Sequence, residues 1–383
     1  MGKKLVQFLF IITLTSGLIS QLPILYQTQS AYILRSMWFV LFLFLLLFKS
    51  SSFFSSNLRI YYLFSILFSL YALSLHVLRE PEYIDADVRN VLISLLVLTS
   101  SYVFWKHYGD YSILRVIAIL SLFSGLFLAF DTSQTAFVDY DVLADSQYVF
   151  GSKNSMGMIL LCIALLSFLI LQPKNLIIKL LLYCSLLYII YIIFLMKSRA
   201  VIVSFVFLIL YFIMQSERKS TRIALLVITI GSLLIIINNQ QIYNSLVNGI
   251  LLNNQSLGDI NSVSSNRIVL LRAAIRLIPD NFIFGIGSYY VDLMPVSMLL
   301  QFGIFGAIII FLYLFFVTSR VIASRNTYLG HIAFLLFIVI MINTLFEAQP
   351  PFGPGMKCFL LWMFIGFSLA ENEEEHLYGL VSY

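Results

Sequence analysis

Leu176-Ile-Ile-Lys179-Leu-Leu-Leu-Tyr183-Cys184-Ser-Leu-Leu-Tyr188-Ile-Ile-Tyr191-Ile-Ile-Phe-Leu195-Met196 carries one charge, Lys179, close to its start. About 20 apolar residues in an α-helix cross the hydrocarbon core of a bilayer. Only a helix or a closed barrel satisfies every backbone polar group there. The apolar residues run on without the two-residue alternation of a membrane barrel, so the stretch predicts a transmembrane helix.

The same pattern recurs on both sides. Apolar runs fall at 5–22, 31–48, 58–77, 88–105, 112–130, 155–172, 176–196, 199–215, 221–238, 295–317, 328–347 and 356–370. The chain of 383 residues is 61% hydrophobic and 11% charged, with a mean hydropathy of +0.97. An average soluble domain is roughly 25% charged. Those figures exclude a soluble globular protein and a single-span anchor carrying a soluble domain. The expected fold is an all-α polytopic membrane protein of about 12 transmembrane helices, with residues 1–383 as one integral membrane domain.

Charge orients the expected spans. Alternate connections hold Lys3, Lys4, Lys49, Arg59, Lys106, Arg115, Lys174, Lys179, Arg218, Lys219, Arg222, Arg320 and Arg325, which is 13 of the 23 basic residues. The opposite set holds Glu80, Glu82, Asp85, Asp87, Asp131, Asp139, Asp141 and Asp145. The excess of base in short segments predicts that both termini are cytoplasmic. Lys3 and Lys4 precede an apolar run as in a signal peptide, but no small-x-small cleavage site follows, so an uncleaved first helix is expected. Residues 371–383 form an acidic tail on the cytoplasmic side.

Several kinds of chemistry are missing. All eighteen acids are read in loops or tails, with only Glu347 at the end of a span. A proton- or sodium-coupled transporter normally keeps a carboxylate mid-membrane. There is no P-loop, no H-E-x-x-H and no nucleophile elbow. His76, His107, His331 and His376 are isolated, and Cys162, Cys184 and Cys358 lie in apolar runs without C-x-x-C spacing, so neither a metal site nor disulfides are expected. A net charge of +5, scattered in ones and twos, is no nucleic-acid signature.

Two external segments exceed a simple turn: the Asp-rich 131–154 and the long loop 239–294. Within the second, Ser264, Ser265 or Asn266 can cap a helix that opens at Arg267, carries Arg272 and Arg276, and stops at Pro279. It is too short and too charged to span, and reads as an amphipathic interfacial helix. Arg272 and Arg276 share a face, and Arg267 stands at the helix start. Arg199 follows Lys197 and Ser198 between two spans. Guanidinium groups suit phosphate, to which they give bidentate, permanently charged hydrogen bonds. Loop salt bridges or lipid headgroup contacts account for the same residues. Gly285-Ile-Gly287 and Gly303-Ile-Phe-Gly306 suit tight turns and close helix approach. Tyr289 and Tyr290 suit either an interfacial anchor or a platform for a sugar ring.

The stretch from Asn266 to Gly287 resembles the long periplasmic-loop signature of the O-antigen polymerase and ligase superfamily (Wzy/WaaL). Arg276 to Gly287 has the R-x10-G spacing of the polymerases. Gly151-Ser-Lys153-Asn154-Ser-Met-Gly157, Lys197-Ser198-Arg199-Ala200, Leu299-Leu-Gln-Phe-Gly303-Ile-Phe-Gly306 and Asn343-Thr-Leu-Phe-Glu347 follow the family's order. Ligases carry a His-Asn pair eleven residues before the glycine matching Gly303. Here Asp292-Leu293 stands in that place and the long loop has no histidine, which is more similar to the polymerase branch.

The resemblance implies a GT-C-like glycosyltransferase of the inner membrane, without cofactor or metal. Such an enzyme joins glycans carried on undecaprenyl diphosphate, alongside a chain-length regulator and a flippase. It further implies Arg267 and Arg276 as catalytic cations, and Arg199, Arg272, Lys197 and Lys153 as diphosphate ligands. Asp292 is the implied base, with Glu347 in reserve and Asn154 and Tyr289 as supporting or acceptor residues. A ligase, or a flippase of lipid-linked oligosaccharides, is the alternative; the long loop argues against the latter.

Overall fold

The computed structural model describes residues 2–21, 30–79, 84–136, 153–196, 198–215, 223, 238, 267–287, 291–347, 351–353 and 355–378. Among them there is no strand. The helices are α1 (Lys3–Ile19), α2 (Ser30–Phe53), α3 (Ser56–Arg79), α4 (Ile84–Tyr108), α5 (Tyr111–Ala136) and α6 (Lys153–Ile170). After them come α7 (Leu176–Leu195), α8 (Arg199–Gln215), α9 (Arg267–Asn281), α10 (Met294–Ala323), α11 (Tyr328–Asn343) and α12 (Met356–Tyr378).

Each expected span has its helix except 221–238, which lies outside the described residues apart from Ile223 and Asn238. Among the described residues six helices, α2 to α5, α7 and α10, are long and apolar enough to cross a membrane; α6, α8 and α11 are shorter apolar helices. The described residues are therefore all-helical, with several helices suited to crossing a membrane. Several helices outrun their apolar stretches. Asp87 lies in α4, Asp131 in α5, and Glu371 and Glu373 in α12. Acids expected in loops and in the tail thus stand towards helix ends; Glu371 and Glu373 meet partners there, and Asp87 is buried.

Apolar residues on all sides make a helix a core element. From Lys357 to Ala370 every residue of α12 is buried. Its main partner is α4, and α11 packs beside it. Gly366 allows the α4 contact, because a Cβ there would stand 2.4 Å from the Leu98 carbonyl oxygen. Around this pair the rings of Phe10 and Phe104 stack at 3.9 Å, and Phe367 closes on both. Polar caps start two further helices. The Asn175 side chain accepts from the Ile177 and Ile178 amides, and Thr327 from that of Gly330.

The bundle has two distinct ends. At one, Lys3 pairs with Asp110 at 2.9 Å, Gln7 donates to the same carboxylate, and Lys106 pairs with Glu373 at 2.6 Å. Tyr111 and the Leu329 amide donate to Glu371. The start of α1 and the last described turns of α12 therefore share one end. At the other end the Met294 amide donates to the Thr344 carbonyl, joining the start of α10 to the end of α11. The 16 residues of α11 separate the two ends by about 24 Å. At the end of α8, Tyr211 packs on His331, near the Glu371 end, whereas α9 stands at the opposite one.

Candidate functional site

Helix α9 is amphipathic, as its sequence predicts. Ala274 is buried, and Leu271, Leu277 and Ile278 pack with Val291, Leu293, Val296 and Leu300 into a small apolar cluster apart from the main core. That cluster seats α9 on the first turns of α10. Arg272 and Arg276 lie on the opposite, exposed face. The helix does not stop at Pro279 but runs two residues further, to Asn281.

The chain next makes a turn that depends on glycine. Gly285 and Gly287 have φ of +70° and +87°, in the region that excludes most side chains. Inside α10, Gly303 has φ of +66°, so two helical halves meet at a break. Turn and break fit each other. A Cβ on Gly285 would stand 2.5 Å from the Gln301 carbonyl oxygen, and one on Gly303 would stand 2.2 Å from that of Ile283. The backbone groups released by the break find partners, as an apolar surrounding demands. The Ile286 amide donates to Leu300, the Gly287 amide to Gln301, and the Ile304 amide to Phe282. The Tyr71 hydroxyl of α3 donates to the Phe302 carbonyl. The glycine motifs are thus two halves of one clasp.

This clasp fixes the chain entering α10, and with it Asp292. Arg267, at the start of α9, places Nε 3.0 Å from Asp292 Oδ2, each side chain about one-third exposed. Both line a cavity of about 300 Å³ with Arg199, Ile268, Leu271, Val291 and Phe346 among its walls. Arg199 and Arg267 stand close enough for their charges to repel. The cavity therefore offers two guanidinium groups and one carboxylate on an apolar floor, at the end of the bundle away from the α1 start. Such an arrangement can hold a dianion on the arginines and leave an acid–base group beside it.

Not all expected residues meet there. Arg267, Arg199 and Asp292 do; Arg272 and Arg276 do not line the cavity. Arg276 is nine positions beyond Arg267, about 13 Å along the helix. The Lys153 side chain, Lys197 and Tyr289 lie outside the described residues, as does most of the long loop before Arg267. Asn154 accepts a hydrogen bond from Ser198, the residue before Arg199, at 2.7 Å. Glu347, beside the cavity-lining Phe346, is held by Lys357 at 2.9 Å. Sequence reasoning passed over Lys357. Its signal is a lysine opening the apolar run 356–370.

Ser297 Oγ and both polar side-chain atoms of Gln301 are buried without a hydrogen-bond partner among the described residues. They lie on successive turns of the first half of α10. A second cavity, of about 450 Å³, lies at the other end of the bundle, between Tyr111, Arg115, Gln172 and Tyr328; it holds none of the expected site residues. No group of His, Cys, Asp and Glu among the described residues could hold a metal ion. No protein-family model matches the chain, and no curated protein is significantly similar to it.

Proposed function

We propose that this protein polymerises lipid-linked polysaccharide repeat units in the cytoplasmic (inner) membrane, with twelve spans and both termini in the cytoplasm. The observation that carries the reading is the convergence of Arg199, Arg267 and Asp292 on one cavity at a single end of a membrane bundle. Transfer of a glycan from undecaprenyl diphosphate requires positive charge where the leaving diphosphate develops its own. It also requires a base within reach of the acceptor hydroxyl. Two guanidinium groups and a carboxylate lining one cavity support that reading.

In the proposed reaction, the acceptor oxygen forms a bond to the anomeric carbon of the growing chain. The bond from that carbon to the diphosphate oxygen breaks, and its electron pair leaves with undecaprenyl diphosphate. The hydroxyl proton passes to Asp292. Because Arg267 holds Asp292 directly, an arriving diphosphate competes for the same guanidinium, and the base is released as the donor binds. The apolar cavity wall and the exposed Val269, Leu270 and Ile275 of α9 suit a lipid-borne substrate at a membrane surface. A chain-length regulator and a separate flippase are the expected companions.

Complementation of a deletion strain tests this, with Arg199→Ala, Arg267→Ala and Asp292→Asn scored on a polysaccharide gel. The proposal expects the ladder to collapse to a single capped repeat unit in each. A full lipid-linked ladder that stays unattached would identify a ligase. An unaltered ladder in all three variants would overturn the site.

A further inference from the structure

Lys357 is 2% exposed, in the first turn of α12. Its ammonium donates to Glu347 Oε2 at 2.9 Å, to Asn343 Oδ1 at 3.4 Å and to Ser155 Oγ at 3.4 Å. Three donors therefore meet three acceptors, on α6, at the end of α11 and in the chain just after it. The network continues toward the cavity in two directions. Beside Ser155 is Asn154, which accepts from Ser198, and Ser198 precedes Arg199. Beside Glu347 is Phe346, part of the cavity wall.

A buried ion pair is a poor device for stability alone. Removing each ion from water costs several kcal/mol, and an apolar pair of similar volume is often as good or better. An apolar pair would hold α12 to α11, but it would give no directed bond to Ser155 or Asn343. Arg199 and Arg267 line one cavity, close enough for their charges to repel, so the position of the backbone that carries Arg199 sets the spacing of the two guanidinium groups.

We propose that Lys357 is a positioning residue for the arginine cavity. Through Ser155 and the Asn154–Ser198 bond it fixes the first turn of α8, so that Arg199 stands opposite Arg267 as a second ligand for a diphosphate. Through Glu347 it fixes the cavity wall at Phe346. The proposal rests on the diphosphate reading given above, and it adds a residue that never touches the ligand.

The test uses the purified full chain in lipid nanodiscs, with inorganic diphosphate and farnesyl diphosphate as calorimetric titrants and thermal unfolding measured in parallel. The decisive variant is Lys357→Met combined with Glu347→Leu, which removes both charges together. It should unfold near the wild-type temperature yet bind both diphosphates about tenfold more weakly or worse, as loss of a supporting contact does. Lys357→Arg should retain part of the affinity. Ser155→Ala, which cuts the link to α6 and leaves the ion pair, should weaken binding while the fold persists; it decides the matter if the double variant does not fold. Wild-type affinity in folded double or Ser155→Ala protein would overturn the positioning role. A wild-type protein that binds neither diphosphate, or binding indifferent to Arg199→Ala, would instead overturn the diphosphate reading itself, and this proposal with it.

Discussion

Arg267 and Arg276 occupy one helix and differ in what surrounds them. Arg267 is ion-paired with Asp292 and lines the cavity; Arg276 is exposed on the far face. A pair one-third exposed contributes about 0–1 kcal/mol, so Arg267→Ala should shift the melting temperature little while abolishing polymer. Arg276→Ala should leave both stability, within about 0.5 kcal/mol, and polymer largely intact. A thermal melt beside a polysaccharide gel separates the two; loss of polymer only in Arg276→Ala would reverse the assignment. Asp110 offers a residue-level test by pH. Hydrogen bonds from Ser112, Lys3, Gln7 and the Ile113 amide outweigh its partial burial and hold the carboxyl well below the usual carboxylate range. A depressed carboxylate contributes stability above its unfolded pKa and loses it as pH falls toward the folded value. Asp110→Asn should therefore be less stable than wild type at pH 7, with the gap closing below about pH 4. A gap that stays constant down to pH 3 would show that Asp110 contributes nothing through its charge.

The elements show where sequence was legible. Long apolar runs fix most helices because bilayer thickness sets their length, and α9 was readable from its arginine spacing and apolar stripe. The break in α10 was not, because Gly303 sits in an unbroken apolar run and hydropathy carries no information about φ. The sequence marks Gly285, Gly287 and Gly303 as sites of tight turning or close approach, and the structure uses them so. That the turn closes on the break depends on contacts some eighteen residues apart in sequence. Likewise Arg267 and Asp292 were both legible as candidates, but their direct pairing was not. Gly303→Ala tests the clasp. Forcing alanine to positive φ costs about 1–3 kcal/mol, and its Cβ would strike the Ile283 carbonyl. The turn must then leave the break and carry Asp292 away from Arg267. The expected result is a fall of several degrees in melting temperature together with loss of polymer; wild-type behaviour in both would show that the clasp does not position the site.

At the scale of the whole molecule, charge divides between two ends. Lys3, Lys106 and Asp110 gather with Glu371 and Glu373 where α1 starts and α12 finishes, and Arg199, Arg267 and Asp292 gather about 24 Å away along α11. Such a span approaches the roughly 30 Å core of a bilayer, so the two clusters suit opposite membrane faces. In the orientation proposed above, which rests on the excess of base in short connections, the first cluster faces the cytoplasm and the arginine cavity opens on the outer face. Surface labelling decides this in a background with Cys162, Cys184 and Cys358 replaced by alanine. Cysteine introduced at the exposed Arg272 should react with a membrane-impermeant maleimide in cells whose outer membrane has been permeabilised. Cysteine at the exposed Lys4 should react only after the inner membrane is opened. Labelling of both positions in intact spheroplasts would put the two ends on one side and break the parity of the bundle. Labelling of Lys4 alone would invert it, leaving the arginine cavity on the face where lipid-linked units are built instead of the face where they are joined.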